Sequence, residues 1–92
     1  MITVSEIIEI VNERGLHARA SAKFVGQVAE LPPGIDVFVC KDGAEAAGGS
    51  ILGLMMLGAA RGDKIEIRVT GEGAEKALAE LADLVRGGFG EQ

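Results

Sequence analysis

The chain has no tryptophan and no tyrosine, and its three phenylalanines bring the aromatic share to only 3%. Bases cannot be stacked on so few rings, which argues against nucleic-acid binding. Basic residues are also scarce: 9 Lys and Arg stand against 14 Asp and Glu, a net charge of -5. That sign argues against a polyphosphate partner. The single cysteine, Cys40, excludes a disulfide framework and any multi-cysteine metal site, and reads as a filler of the core or sheet face. No apolar run approaches the roughly 18 residues of a membrane span. Glu6 interrupts the N-terminal stretch before a secretory signal can form. The expected location is the cytoplasm, with neither nucleic acid nor membrane as partner.

What is present is a globular mixture, 48% hydrophobic and 25% charged. Ninety-two residues suit a single domain, 1–92, with 88–92 expected as a frayed tail. A chain this small argues against an enzyme with a deep pocket. The 14 glycines are about twice the usual share.

Ile2, Val4, Ile7, Ile8, Ile10 and Val11 predict a strand over 1–11 by their β-branched enrichment, although Ile7-Ile8 spoils its alternation. Ala22, Val25, Val28 and Ala29, with Phe24 adjacent, fall at helical spacing and predict a helix over 18–29. Pro32-Pro33 stops it. Residues 35–41 alternate, with Ile35, Val37 and Val39 on one face, and Asp42-Gly43 signals a hairpin into a weak strand, 44–47. Ser50 then opens a short apolar helix, 51–57. Ile65, Ile67 and Val69 alternate with polar residues in the cleanest half-buried strand. Ala74, Ala77, Leu78, Leu81, Leu84 and Val85 make an amphipathic helix that Gly87-Gly88 closes. The order β-α-β-β-α-β-α predicts an α+β fold, an antiparallel sheet with helices on one face.

Chemistry concentrates in Gly15-Leu16-His17-Ala18-Arg19. His17, the only histidine, stands where a glycine-containing loop meets a helix start. A helix N-terminus offers unpaired N–H groups and partial positive charge, which suit an anion and favour an uncharged imidazole. A neutral imidazole is a nucleophile, so one position both keeps His17 reactive and holds a phosphoryl group. Arg19 can make two charge-assisted bonds to phosphate oxygens, and Arg14 and Lys23 add positive charge nearby. Spacing alone leaves a plainer reading open, a surface residue on a solvated basic face. No carboxylate close in sequence completes a triad, and no metal site is formed.

Asn12-Glu13-Arg14-Gly15-Leu16-His17-Ala18-Arg19-Ala20-Ser21-Ala22 resembles the active-site signature of the phosphocarrier protein HPr family of the bacterial phosphotransferase system. Gly49 to Gly58 is similar to that family's regulatory-serine segment. The resemblance runs from about Val4 to Val85. It implies an open-faced β-sandwich of four antiparallel strands and three helices. It implies a carrier, not an enzyme, that accepts a phosphoryl group from Enzyme I on Nδ1 of His17 and passes it to an EIIA protein or domain. Arg19 would stabilise the group, with the N–H groups of Ala18 and Arg19 close to its oxygens. No cofactor or metal is needed, and a monomer is expected. The alternative is a regulatory interaction module of a nitrogen-type phosphotransferase branch, acting by binding partners according to its phosphorylation state. Two positions depart from the family: Ala20 stands where proline is common, and Gly49 where Lys or Arg often precedes the serine.

Ser50 reads first as an N-cap. The resemblance adds regulation by phosphorylation, with HPr kinase/phosphorylase as the kinase. Helix 51–57 has too many apolar residues for one buried stripe. Leu54 and Leu57 are expected in the core, and the resemblance makes Ile51, Leu52 and Met55 a partner-docking surface.

Overall fold

The computed structural model describes residues 2–91. Its elements are β1 (Thr3–Glu9), α1 (Ala18–Ala29), β2 (Asp36–Lys41), β3 (Ala44–Ala47), α2 (Ile51–Met56), β4 (Lys64–Thr70) and α3 (Ala74–Arg86). A single helical turn, Gly88–Gly90, follows. The strands form one antiparallel sheet in the order β1-β4-β2-β3. β4 lies between β1 and β2, and its inward Ile65, Ile67 and Val69 are fully buried beneath the helices. The α+β architecture expected from the sequence is therefore the one observed.

The broken alternation of β1 has a cause. Ile8 points into the core while Ile7 is 66% exposed on the open face. Glu6 takes an inward, half-buried slot and pairs there with Arg86 of α3. An ion pair replaces an apolar contact at the sheet edge. The strand ends at Glu9, short of Val11, because Ile10 leaves it to exchange backbone bonds with the loop before β4 (Ile10 N–H to Asp63 O, 2.8 Å; Gly62 N–H to Ile10 O, 2.8 Å). Met1 lies outside the described residues.

The buried stripe of α1 is rotated from the expected one. It runs through Ala20, Ser21 and Phe24, with Val25 and Val28 half-buried against the core, and Ala22 and Ala29 are exposed. A phenylalanine ring removes far more apolar area from water than an alanine methyl, so Phe24 sets the orientation of the helix.

The expected frayed tail is corrected for residues 88–91. Phe89 is 1% exposed and belongs to the core. Gly88, Phe89 and Gly90 all have positive φ, at 65°, 57° and 73°. This conformation costs phenylalanine about 1–2 kcal/mol and glycine almost nothing. Burial of the ring outweighs that cost, since an aromatic side chain takes some 150–250 Å² with it. The two glycines let the chain reverse, and the phenylalanine holds the reversal. Gln92 lies outside the described residues.

Candidate functional site

The loop before α1 is braced from behind. Gly15 has φ of 64°, and a Cβ there would meet the Ala59 carbonyl oxygen and lie 2.9 Å from Ala60 Cα. Only glycine allows so close an approach. Leu16 N–H bonds to Ala59 O at 2.9 Å in the same contact. This fixes the backbone one residue before His17.

His17 is the N-cap of α1. Its backbone is extended (φ -79°, ψ -177°) and its carbonyl accepts Ser21 N–H at 2.9 Å. Its side chain turns back over the helix end, and Nδ1 accepts the Arg19 N–H at 3.2 Å. Because Nδ1 receives a hydrogen there, it presents a lone pair, and the ring hydrogen belongs on Nε2. Nε2 lies 2.8 Å from Glu91 Oε2. The ring is thus held on both sides, yet 19% of its side chain stays exposed.

Glu91 is the residue that sequence reasoning missed. It lies 74 positions from His17 and supplies the carboxylate that no near neighbour provides. Its other oxygen, Oε1, accepts from Asn12 Nδ2 at 3.1 Å, and that amide also donates to Gly15 O at 2.9 Å. Lys23 Nζ ties the same tail to α1 through Phe89 O at 2.7 Å. Partial burial works against the charged form of Glu91. Hydrogen bonds from Asn12 and His17 and the nearby Lys23 ammonium outweigh it, and hold the carboxyl below its ordinary value of 4.5. An uncapped apolar residue among the tail glycines, Phe89, was the available signal that this segment docks.

Glu13, Arg14, His17, Arg19, Lys23, Gly90 and Glu91 line an open cleft of about 370 Å³. Three of them are cationic in an acidic chain, and the start of α1, whose Arg19 N–H is capped by His17 itself, opens between them. The arrangement presents a nucleophilic nitrogen beside donors for an oxyanion. Ala18 begins the helix, and Ala20, in place of proline, keeps one more N–H in its first turn.

The second set of predicted residues lies elsewhere. Ser50 is the N-cap of α2, its Oγ accepting Gly53 N–H at 2.9 Å. Neither it nor Ile51, Leu52 or Met55 lines the His17 cleft. Leu54 and Leu57 are buried as expected, while Ile51, Leu52 and Met55 are exposed. Met56, outside the expected docking set, is the most exposed of all at 77%. The described residues contain no cluster of metal-ligating side chains, and none of their helices is long and apolar enough to cross a membrane.

Residues 4–87 match the family model of the PTS HPr component phosphorylation site. The phosphocarrier protein HPr of Neisseria meningitidis serogroup B is 43% identical over 88 residues, which cover 96% of this chain and 97% of the relative. The phosphocarrier protein NPr of Escherichia coli K12 is 39% identical over 93 residues, covering 98% and 99%. Among solved structures, an HPr from Thermoanaerobacter tengcongensis superposes with a TM-score of 0.86 at 36% identity, covering 100% of this chain and 99% of that one. An HPr from Bacillus anthracis gives 0.85 at 34%, covering 92% and 99%. A signature around the one histidine, a matching open sheet and near-complete coverage agree: the chain belongs to the HPr family of phosphocarrier proteins of the phosphotransferase system.

Proposed function

We propose that His17 takes a phosphoryl group from phosphorylated Enzyme I on Nδ1 and passes it to an EIIA protein or domain. The supporting observation is the ring's orientation: the Nδ1 lone pair faces the open N-terminus of α1, where Arg19 N–H meets it at 3.2 Å. That contact is long for a hydrogen bond and gives way to phosphorus at little cost. The freed Arg19 N–H and its neighbour on Ala18 then turn to the phosphate oxygens, with the Arg19 guanidinium closing over them. A nitrogen–phosphorus bond is labile enough to hand the group on. The protein works as a cytoplasmic monomer that carries a group and turns over no substrate by itself.

The test is incubation with Enzyme I and phosphoenolpyruvate, followed by mapping of the modified residue. The expected product is an acid-labile, base-stable phosphate on His17. Absence of that phosphate from a well-folded sample would leave the regulatory interaction module as the better reading.

Arg19→Ala is expected to slow transfer by about 10²–10³-fold, the usual loss when one donor to a developing oxyanion is removed. Arg19 is exposed, and alanine is a good helix former, so the melting temperature should stay within a few degrees. A fall in stability as large as the fall in rate would contradict this assignment.

We further propose that Ser50 is a regulatory phosphorylation site beside a docking surface of Ile51, Leu52 and Met55. Ser50 stands next to these exposed apolar side chains, and phosphate there adds about two negative charges to the edge of the surface. Ser50→Asp should weaken Enzyme I docking about tenfold, or about 1.4 kcal/mol. Aspartate caps a helix as well as serine does, so Tm should barely move. Unchanged transfer kinetics at sub-saturating Enzyme I would remove Ser50 from this role.

A further inference from the structure

We propose that Glu91 is a positioning residue for phosphoryl transfer. It fixes the His17 tautomer with hydrogen on Nε2 and balances the positive charge the ring acquires when Nδ1 bonds to phosphorus. The inference rests on the carrier reading above and adds a residue to it.

The contact is more than a chance meeting of a tail with a surface histidine. Glu91 Oε2 lies 2.8 Å from Nε2, while Oε1 is held by Asn12. Asn12 is 4% exposed, and its amide orientation is fixed, because turning it over would set its oxygen against Gly15 O and Glu91 Oε1. The tail is anchored just upstream by the buried Phe89 ring and by Lys23 Nζ on Phe89 O. Core, loop and helix all contribute to placing this one carboxylate.

Its chemistry follows from its position on the far side of the ring from the helix end. A carboxylate accepts only, so it selects the ring form with hydrogen on Nε2 and leaves Nδ1 with its lone pair. During transfer the Nδ1–P bond forms as the donor's bond to phosphorus breaks. The Nε2 hydrogen stays on the ring, so the ring gains positive charge, and Glu91 lies in hydrogen-bond contact with it. On the onward step the same bonds reverse, and the ring departs from phosphorus as a neutral imidazole with its hydrogen still on Nε2. A carboxylate behind a catalytic histidine acts in the same way in hydrolytic triads, orienting the ring and stabilising its cation without taking the proton. Here the histidine is itself the nucleophile.

The experiment compares the parent chain with Glu91→Ala and Glu91→Asp. Nitrogen-15 NMR of the His17 ring reports the tautomer, and single-turnover phosphorylation by Enzyme I at saturating concentration reports the rate. In the parent, the hydrogen should sit on Nε2. In Glu91→Ala the ring should become a tautomer mixture and transfer should slow roughly 10–100-fold, by analogy with removal of the partner that orients a metal-bound histidine. Glu91→Asp should recover part of both. An Nε2–H ring in Glu91→Ala with the parent's rate would overturn the proposal. So would a rate loss that vanishes at saturating Enzyme I while the ring signals stay unmoved. A parent that takes no phosphate at all overturns the carrier reading instead, and the unmutated control shows this directly.

Discussion

Replacing His17 by alanine is expected to abolish phosphoryl acceptance altogether while lowering stability by only about 1 kcal/mol. The loss is complete because the chain has no second histidine to take the role. The stability cost is small because the ring's structural work is limited. As N-cap it contributes one hydrogen bond, from Arg19 N–H to Nδ1, and at 3.2 Å that bond is not a strong one. Glu91 loses a partner but keeps Asn12, and its carboxylate remains 17% exposed to water. For a chain of this length a loss of about 1 kcal/mol lowers Tm by roughly 4–8 °C. The variant should therefore be folded and inert at ordinary temperature. An acid-labile phosphate retained on His17→Ala would place the acceptor elsewhere. A fall in Tm of several tens of degrees would mean that the ring is chiefly a structural part.

Most of the fold was legible because local and tertiary demands agree over most of the chain. In β4, Ile65, Ile67 and Val69 alternate without fault, and the strand sits in the middle of the sheet where one face must be apolar throughout. Asp42-Gly43 signalled a hairpin, and both residues adopt the positive φ that a tight two-residue turn needs, 50° and 84°. The His17 segment was legible for the same reason: a helix start, a loop glycine and an arginine lie within five residues, so sequence spacing nearly fixes spatial spacing.

The illegible parts are those where distant residues decide. Glu6 looks like an interruption of β1 until Arg86 arrives from α3 to pair with it. The face of α1 was assigned from alanines and valines, but packing is governed by Phe24, whose ring finds its slot only in the assembled core. Glu91 is the sharpest case. It reaches His17 from the other end of the chain, after a run of glycines whose local preference is for no structure. The glycines themselves mark no turn; Phe89 among them is the one local sign, and the free energy that orders them comes from burying its ring against distant elements.

That dependence yields the second large effect. Phe89→Ala is expected to cost about 3–5 kcal/mol, the range for deleting a buried ring. At this chain length such a loss lowers Tm by roughly 12–40 °C. Alanine retains a Cβ, so the positive φ at this position costs nearly the same in both proteins and does not offset the loss. The effect should extend to the site. Without its anchor the 88–91 turn keeps its local backbone bonds (Gly90 N–H to Gly87 O, 3.2 Å; Glu91 N–H to Gly88 O, 3.0 Å), Lys23 Nζ on a backbone carbonyl and Glu91's side-chain hydrogen bonds, but no buried side chain, and the glycines regain much of their freedom. Amide exchange at residues 88–91 should quicken in the folded variant, measured well below its Tm. The His17 ring should then drift toward the tautomer mixture expected of Glu91→Ala. Phe89→Leu, which keeps most of the apolar volume, should retain more stability and a slower-exchanging tail. A Phe89→Ala protein that melts like its parent would show that the ring does not hold the tail in the core, and the carboxylate beside His17 would lose the support that makes its position dependable.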